Sequence, residues 1–293
     1  MAGTPIIPSS PSPIPAATVG PADGDLANAA SVNGAFLDVM SGVLGLRLSA
    51  YGRVANGHCY CVNGTVIVID ALGSVILTTG GAASWISFLN ATQQSVTAAT
   101  AFGGALAINT RYYLYAYNNA GTLDFIVNAT APNASRTYEN GNTDRVFITT
   151  FVTDGSGIIV PYVQNQGRVS YTTPGANPSI AMNTGGAVWT DANPNATTPM
   201  VPSWAQTVDL YLVLTNSDNT AGGDVFSLRA KSITGTGYTG AGKVYMVGAV
   251  DHYVQALFDT TELVVSTGQV FQYNWATGGA GRSATGYVAG WSY

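Results

Sequence analysis

The stretch RYYLYAYNNAGTLDFIVN, residues 111–128, carries four tyrosines and is broken once, by Asn-Asn-Ala-Gly. A short break of this composition between two runs of β-forming residues predicts a hairpin that pairs 111–117 with 122–128. Successive residues of a strand face opposite sides, so the tyrosines are divided between the two faces of the first strand. Because both faces are apolar or aromatic, we expect both to be covered. The tyrosines are then sheet packing, and a platform for stacking glycans is the alternative.

The composition of the chain restricts its partners. Its 293 residues are enough for about two domains. Charged residues make up only 9%, the net charge is −5, and the two lysines, Lys231 and Lys243, are isolated. Nucleic-acid binding needs clustered basic residues, so we expect no nucleic-acid partner. Apolar runs such as Val66–Ile69 are far shorter than the roughly 20 residues of a membrane-spanning helix, so we expect no membrane insertion.

Composition and periodicity divide the chain into four parts. Residues 1–22 are rich in proline and cannot bury a core, which predicts an extended arm. Residues 23–48 contain apolar positions at helical spacing, which predicts one short helix in a linker. Residues 49–171 and 172–293 read as two antiparallel β-sandwich or jelly-roll-like domains, because short β-branched runs alternate with Gly, Asn and Asp. The chain is therefore predicted to be mainly β.

Individual segments add detail to this β organisation. The run SVTAAT, residues 95–100, is predicted to continue the first sheet, and 145–152 is predicted to pair with 157–164 around TDGSG. Residues 172–186 and 190–204 contain several prolines and are predicted to be loops. Further strands are expected at 208–216, 224–233, 243–250, 261–266, 269–277 and 283–293.

Catalytic and metal-binding patterns are sparse in the sequence. Cys59 and Cys61 share one face of a strand, where a disulfide would be strained, and we expect two small buried thiols. They do not form a four-ligand zinc site with His58, and we expect no metal and no cofactor. Asp251-His252 is interpreted as a surface pair, since adjacent strand residues face opposite sides. Glycan hydrolysis would need two carboxylates about 5–9.5 Å apart. The acidic residues considered for that role mostly occur in turn-like contexts: Asp124, Glu139, Asp144, Asp154, Asp224 and Glu262.

The stretch of residues 110–168 resembles a domain that recurs in tail fibres and related virion proteins of tailed bacteriophages. The resemblance rests on the Tyr-rich hairpin at Tyr113–Asn118, the Thr-Ala-Pro segment Thr130–Pro132 and the TDGSG turn Thr153–Gly157. Asp23–Asn33 is also similar to segments near the start of phage fibre and attachment proteins. Together these segments cover about a third of the chain, and none of them is catalytic. The resemblance implies a homotrimer located on the exterior of the virion.

The carboxyl-terminal region FQYNWATGGAGRSATGYVAGWSY, residues 271–293, is the candidate for receptor or glycan binding. Aromatic rings beside polar groups suit sugar recognition. In the alternative interpretation, GYVAGWSY closes the core or a subunit interface. The candidate residues are Tyr273, Trp275, Arg282, Tyr287, Trp291 and Tyr293.

These observations lead to one main expectation and two alternatives. The expected protein is a non-enzymatic fibre or adhesin of a tailed phage that attaches to a host-surface glycan or protein. Its arm would bind other virion proteins of the capsid or tail. The alternatives are a capsid decoration protein that coats or stabilises the head, and a polysaccharide-degrading spike enzyme. The predicted anchoring residues are Pro5, Ile6, Ile7, Pro8, Pro11, Pro13, Ile14 and Pro15.

Overall fold

The computed structural model describes residues 58–70, 72–78, 85–90, 92–165, 167–182, 186–216, 224–231, 243–247, 252–264, 270–276 and 282–292. The predicted arm and the predicted linker helix lie outside these residues. Within them the chain is mainly β, its sheets are antiparallel, and the one α-helix, α1, spans Ala98–Phe102. The prediction of a mainly β fold is therefore confirmed.

Within the described residues, eleven strands precede residue 172 and eight follow it. The first eleven are β1 (Cys59–Cys61), β2 (Val66–Ile69), β3 (Leu72–Thr78), β4 (Trp85–Asn90), β5 (Gln94–Thr97), β6 (Arg111–Asn119), β7 (Thr122–Asn128), β8 (Tyr138–Glu139), β9 (Asn142–Val152), β10 (Tyr162–Asn165) and β11 (Arg168–Tyr171). The other eight are β12 (Ser179–Ala181), β13 (Gly186–Ala192), β14 (Thr207–Asn216), β15 (Asp224–Ala230), β16 (Lys243–Val247), β17 (His252–Val264), β18 (Phe271–Trp275) and β19 (Arg282–Ser292).

The last eight strands form a jelly roll. One sheet joins β12, β19, β14 and β17, and the other has the order β13-β18-β15-β16. The pairing is nested: the first of the eight strands pairs with the eighth, the second with the seventh, the third with the sixth and the fourth with the fifth. This arrangement of two rolled sheets is the jelly-roll topology.

The first half of the chain is a sandwich built on the same sheet. Strands β11, β10, β1, β2 and β5 continue it beyond β19, and a separate sheet has the order β7-β6-β9-β8. Buried residues of both layers, among them Cys59, Ile67, Tyr112 and Phe151, belong to one hydrophobic cluster that continues to Trp291 in the jelly roll. Burying each large side chain of this kind stabilises the fold by about 1.5–3 kcal/mol.

Strand β19 joins the two halves. Along one edge it pairs with β14 over Arg282–Ser292, and along its other edge it pairs with β12 and then with β11. The hydrogen-bonded sheet therefore continues across the boundary predicted at residue 172. The division into two domains at that point stays a prediction.

The hairpin predicted from the opening stretch is confirmed. Strands β6 and β7 pair from Tyr113↔Asn128 to Asn119↔Thr122, which leaves a loop of two residues, Ala120 and Gly121. Their φ angles are 49° and 96°, as a type I′ turn requires. Asn118 fixes the turn because its Oδ1 accepts a hydrogen bond of 2.8 Å from the Gly121 amide.

The tyrosines of β6 pack the sheet on both of its faces, as predicted. Tyr112 lies in the main core, stacked against Phe151 at 5.8 Å. Tyr113 and Tyr115 form a second buried cluster with Phe147 on the opposite face, and Trp204 covers it. The Tyr115 hydroxyl donates a hydrogen bond of 2.6 Å to the Thr130 carbonyl, so the buried phenol is satisfied.

Several local predictions are wrong. Only Gln94–Thr97 of the segment around SVTAAT is a strand, since α1 begins at Ala98. The TDGSG turn forms, with the Asp154 carbonyl accepting a hydrogen bond from the Gly157 amide, but its flanks pair only over residues 152–154 and 158–160. The predicted pairing of 145–152 with 157–164 is therefore wrong. Strand β9 pairs with β6 and β8, whereas β10 pairs with β1 and β11 in the other layer. Strands β12 and β13 occupy segments predicted in part as loop. The strands predicted at 208–216, 224–233, 243–250, 269–277 and 283–293 are confirmed over their described residues. The strand predicted at 261–266 is the end of a longer strand, β17, which begins at His252.

Candidate functional site

Most of the predicted carboxyl-terminal binding residues do not share a surface. Trp275 and Trp291 are fully buried and Tyr273 is 3% exposed, so these three rings lie inside the jelly roll. The indole of Trp275 donates a hydrogen bond of 3.1 Å to the Met182 carbonyl. A sugar could reach these rings only if the sheets separated. Their assignment to a binding site stays a prediction, and their position agrees with the alternative of core closure.

Of the remaining residues predicted to bind a receptor or glycan, only Tyr287 has a described side chain. The side chain of Arg282 and the whole of Tyr293 are not described, and neither are the predicted anchoring residues between Pro5 and Pro15. Tyr287 is half-buried and lies on the outer face of the sheet that contains β19. Its ring contacts Tyr211 of β14, with centroids 5.8 Å apart and planes tilted by 40°. Tyr287 is thus the one predicted residue whose described ring lies partly open on an outer face.

A different group of residues forms a row across the outer face of the second jelly-roll sheet. Strand register places Asp191 opposite Gln272, and Gln272 opposite Arg229, on three adjacent strands. Trp189 precedes Asp191 by two positions, and Lys231 follows Arg229 by two, so strand alternation brings both to this face. We call these five residues the Trp189 row. Phe226, Leu228, Phe271, Tyr273 and Trp275 are buried on the inner side of the same strands.

Hydrogen bonds connect the polar members of the Trp189 row. Arg229 Nε donates to Gln272 Oε1 at 2.9 Å, and Gln272 Nε2 donates to Asp191 Oδ1 at 2.9 Å. Lys231 Nζ donates to Asp191 Oδ2 at 2.5 Å. The Arg229 guanidinium lies over the Trp189 ring, 4.0 Å from its centroid, which is a cation–π contact. The side chains are therefore held in place before any ligand arrives.

The electrostatics of the row keep Asp191 ionised. The hydrogen bond from Lys231, followed by that from Gln272, lowers the pKa of Asp191 below its ordinary value. About half of the Lys231 and Asp191 side chains is exposed, so solvent screens the pair and it adds little to stability. The row therefore presents a carboxylate acceptor, an ammonium donor and an amide side by side at the surface.

Two polar atoms of this face have no hydrogen-bond partner among the residues that the structure describes. They are Trp189 Nε1 and Ser227 Oγ, and both are buried. The residue before Trp189 in the chain, Val188, is 75% exposed. A half-buried indole next to fixed donors and acceptors can stack on the apolar face of a sugar while the polar groups bind its hydroxyls.

The Trp189 row could not be predicted from the sequence because its residues are far apart in the chain. Strand β13 lies between Pro178 and Pro194 and was assigned largely to loops. The signal present was the pair Trp189-x-Asp191, an aromatic and an acid on one face of a strand. The same alternation places Gln272 opposite the buried rings of β18, so the predicted aromatic residues and the observed row occupy opposite faces of one strand.

His58 and Asp70 form a second polar group, at the start of β1. His58 Nδ1 lies 2.7 Å from Asp70 Oδ2, and Gln93 Nε2 donates to Asp70 Oδ1 at 2.9 Å. The hydrogen bond from Gln93, together with contacts from His58, lowers the pKa of Asp70. Both carboxylate oxygens are engaged, and the Asp70 amide donates to the His58 carbonyl. The arrangement joins β1 to β2 and to the segment before β5.

The two cysteines are buried free thiols, as predicted. Burial raises the pKa of Cys59 to about 12 and also raises that of Cys61. Among the residues that the structure describes, no three His, Cys, Asp or Glu side chains are grouped as metal ligands. Within the same ranges no helix is long and apolar enough to cross a membrane.

Comparison of the chain with models of protein families finds no match, and comparison with curated proteins finds none either.

Proposed function

We propose that this chain is a non-enzymatic virion protein of a tailed bacteriophage, a fibre or adhesin that attaches to host-surface glycans. Residues 1–22 would hold it to the particle, on the virion exterior. The observation that carries the proposal is the Trp189 row, a pre-arranged aromatic and polar group on the outer face of a jelly roll. Jelly rolls occur in both viral and lectin domains, which is compatible with the proposal without deciding it.

Recognition at this row would be weak and would depend on repetition. Trp189 would stack against a sugar ring, Asp191 would accept hydrogen bonds from hydroxyls, and Lys231 and Gln272 would donate them. A shallow surface of this kind supplies few contacts, so a single site binds weakly. Several copies on one particle would raise the overall affinity because later contacts become intramolecular. The proposed oligomer, a homotrimer by resemblance, would provide that repetition.

Binding of the full chain to immobilised bacterial surface polysaccharides tests the proposal. Trp189→Ala removes the stacking ring and should weaken binding by at least about tenfold, or about 1.4 kcal/mol. Tyr287→Ala is the matched control, since it removes a half-buried ring from the outer face of the opposite sheet.

The two variants give distinguishable results. Loss of binding in Trp189→Ala alone supports the row as the glycan site. Loss in Tyr287→Ala alone would move the site to the other sheet and return it to the region predicted from sequence. If the unmodified chain binds none of the polysaccharides, or if both variants bind like it, glycan attachment through these faces is refuted.

A further inference from the structure

One end of the first sandwich is formed by three connected segments. They are the β1–β2 turn, residues 62–65, the segment from α1 to β6, and the β9–β10 turn, residues 153–158. The Ala98 amide donates to the Thr65 carbonyl at 3.0 Å, and the Ile159 amide donates to the Gly64 carbonyl at 2.9 Å. The Asn109 amide donates to the Asp154 carbonyl at 2.9 Å. These bonds make the three segments one continuous surface, which we call the apolar end.

Exposed apolar side chains are concentrated at the apolar end. Val62 is 66% exposed, Ile108 58%, Ile158 47% and Phe102 37%. The structure describes five large exposed apolar side chains, and the fifth, Val188, belongs to β13 instead. Single exposed apolar residues are ordinary on protein surfaces, but a contiguous group of them marks an interaction site.

The apolar end carries almost no charge. In residues 62–65, 98–110 and 153–158 the only ionisable side chain is that of Asp154. Its Oδ1 already accepts hydrogen bonds from the amides of Ser156, at 2.8 Å, and Ile158, at 3.0 Å. The centre of a protein–protein interface is depleted of charged residues in the same way.

The segments are also fixed in position. Thr153 Oγ1 donates to the Ala107 carbonyl at 2.6 Å and accepts from the Thr110 amide at 3.0 Å. Ile158 lies directly over Gly64, where a β-carbon would be 2.2 Å from Ile158 Cγ2. A surface that is already ordered loses little conformational entropy when it binds. The apolar end is therefore suited to a rigid docking partner.

We propose that copies of this chain associate with one another through the apolar end. A partner must offer an apolar surface with little charge, and within the described residues this chain presents such a surface at this end itself. Two copies of a nearly neutral face meet without like-charge repulsion, whereas the charged Trp189 row and the Arg168–Asp209 pair lie elsewhere. Soluble homo-oligomers most often close by rotational symmetry, which uses the same patch on every copy. This inference does not depend on glycan binding.

The mass of the full chain in solution tests the proposal. Light scattering should give a multiple of 30.2 kDa for the unmodified chain. The triple variant Val62→Lys, Ile108→Lys, Ile158→Lys places like charges at the contact and should reduce the mass to 30.2 kDa. The matched control is Thr172→Lys, Val188→Lys, Gln206→Lys, which adds the same charge at exposed positions elsewhere and should keep the mass of the unmodified chain.

Three results would overturn the proposal. They are a mass of 30.2 kDa for the unmodified chain over a hundredfold range of concentration, an unchanged mass in the apolar-end variant, and an equal loss of mass in the control. A loss of binding to empty capsids with no change in mass would assign the surface to the shell instead. If the lysine variant does not fold by circular dichroism, serine at the same three positions gives the same test without added charge.

Discussion

Gly290 allows β11 and β19 to pack closely because it has no β-carbon, and its replacement by alanine should open the seam between the two halves. A β-carbon at this position would lie 2.4 Å from the Val169 carbonyl oxygen and 3.1 Å from Asp209 Oδ2. Contacts below 3.0 Å essentially do not occur, so the backbone of β11 must move by roughly 0.6 Å or more. The φ angle of Gly290 is not in the left-handed region, so the cost comes from this contact alone.

The expected loss of stability follows from the displacement of β11 relative to β19. Overpacking at a tight site costs about 1–3 kcal/mol, and each strained β11–β19 hydrogen bond adds up to about 1 kcal/mol. Gly290→Ala should therefore lower the free energy of unfolding by about 2–4 kcal/mol. For a chain of this size each kcal/mol lowers Tm by about 2–4 °C, which gives a decrease of roughly 4–16 °C.

Thermal unfolding followed by circular dichroism measures this decrease. Gly155→Ala is the matched control, because nothing lies within 4 Å of its β-carbon position and its φ is also not left-handed. We expect the control to melt within about 1 °C of the unmodified chain, since surface changes cost little. Equal melting temperatures for the two variants would refute the inference that Gly290 sets the spacing of this seam.

Three further predictions concern the turn, the thiols and a buried ion pair. Ala120→Gly should raise the free energy of unfolding by about 0.5–1 kcal/mol in thermal melts, because Ala120 has φ = 49°, which is strained for alanine and accessible to glycine. A lower Tm in this variant would contradict the strain assigned to the turn. Burial raises the pKa of Cys59 to about 12, so its thiol stays protonated at pH 8. A thiol reagent should therefore react with Cys59 only after denaturation. The stability that this neutral thiol contributes is present below its unfolded pKa of about 9 and is lost as pH rises from there towards 12. Rapid labelling of the native chain at pH 8 would contradict this burial. Arg145→Ala removes the ion-pair partner of Glu139, which is 5% exposed, and should lower the free energy of unfolding in urea by about 3 kcal/mol. Lys231→Ala, which breaks a half-exposed pair, should cost less than about 1 kcal/mol, and an equal effect of the two variants would argue against the burial of Glu139.

The parts of the fold that depend on residues close together in the chain could be predicted from the sequence. Alternation and the Asn-Asn-Ala-Gly break located the β6–β7 hairpin, and β-branched runs located β14, β15, β16, β18, β19 and the end of β17. The pairing of those strands could not be predicted in the same way. Thr153 and Ile159 form a single bridge, after which the chain crosses to the other layer, because packing of the two layers outweighs the local turn signal.

The candidate site was harder to predict for a related reason. Strand alternation places Tyr273 and Trp275 on one face of β18, but nothing local indicates whether that face is the inner one. That depends on Phe226, which contacts both rings from β15. The Trp189 row is assembled from three strands and becomes visible only once their register is known.

The position of β19 also determines when the molecule can finish folding. About 120 residues separate the end of β11 from the end of β19. Because ribosomes add about 5–20 residues each second, synthesis of β11 ends roughly 6–24 s before synthesis of β19. During that interval the exposed edge of β11 can pair with a strand of another nascent chain. A fragment that ends at residue 171 would keep this edge permanently open. Synthesis of the whole chain at a low rate of initiation should therefore favour soluble protein over aggregates.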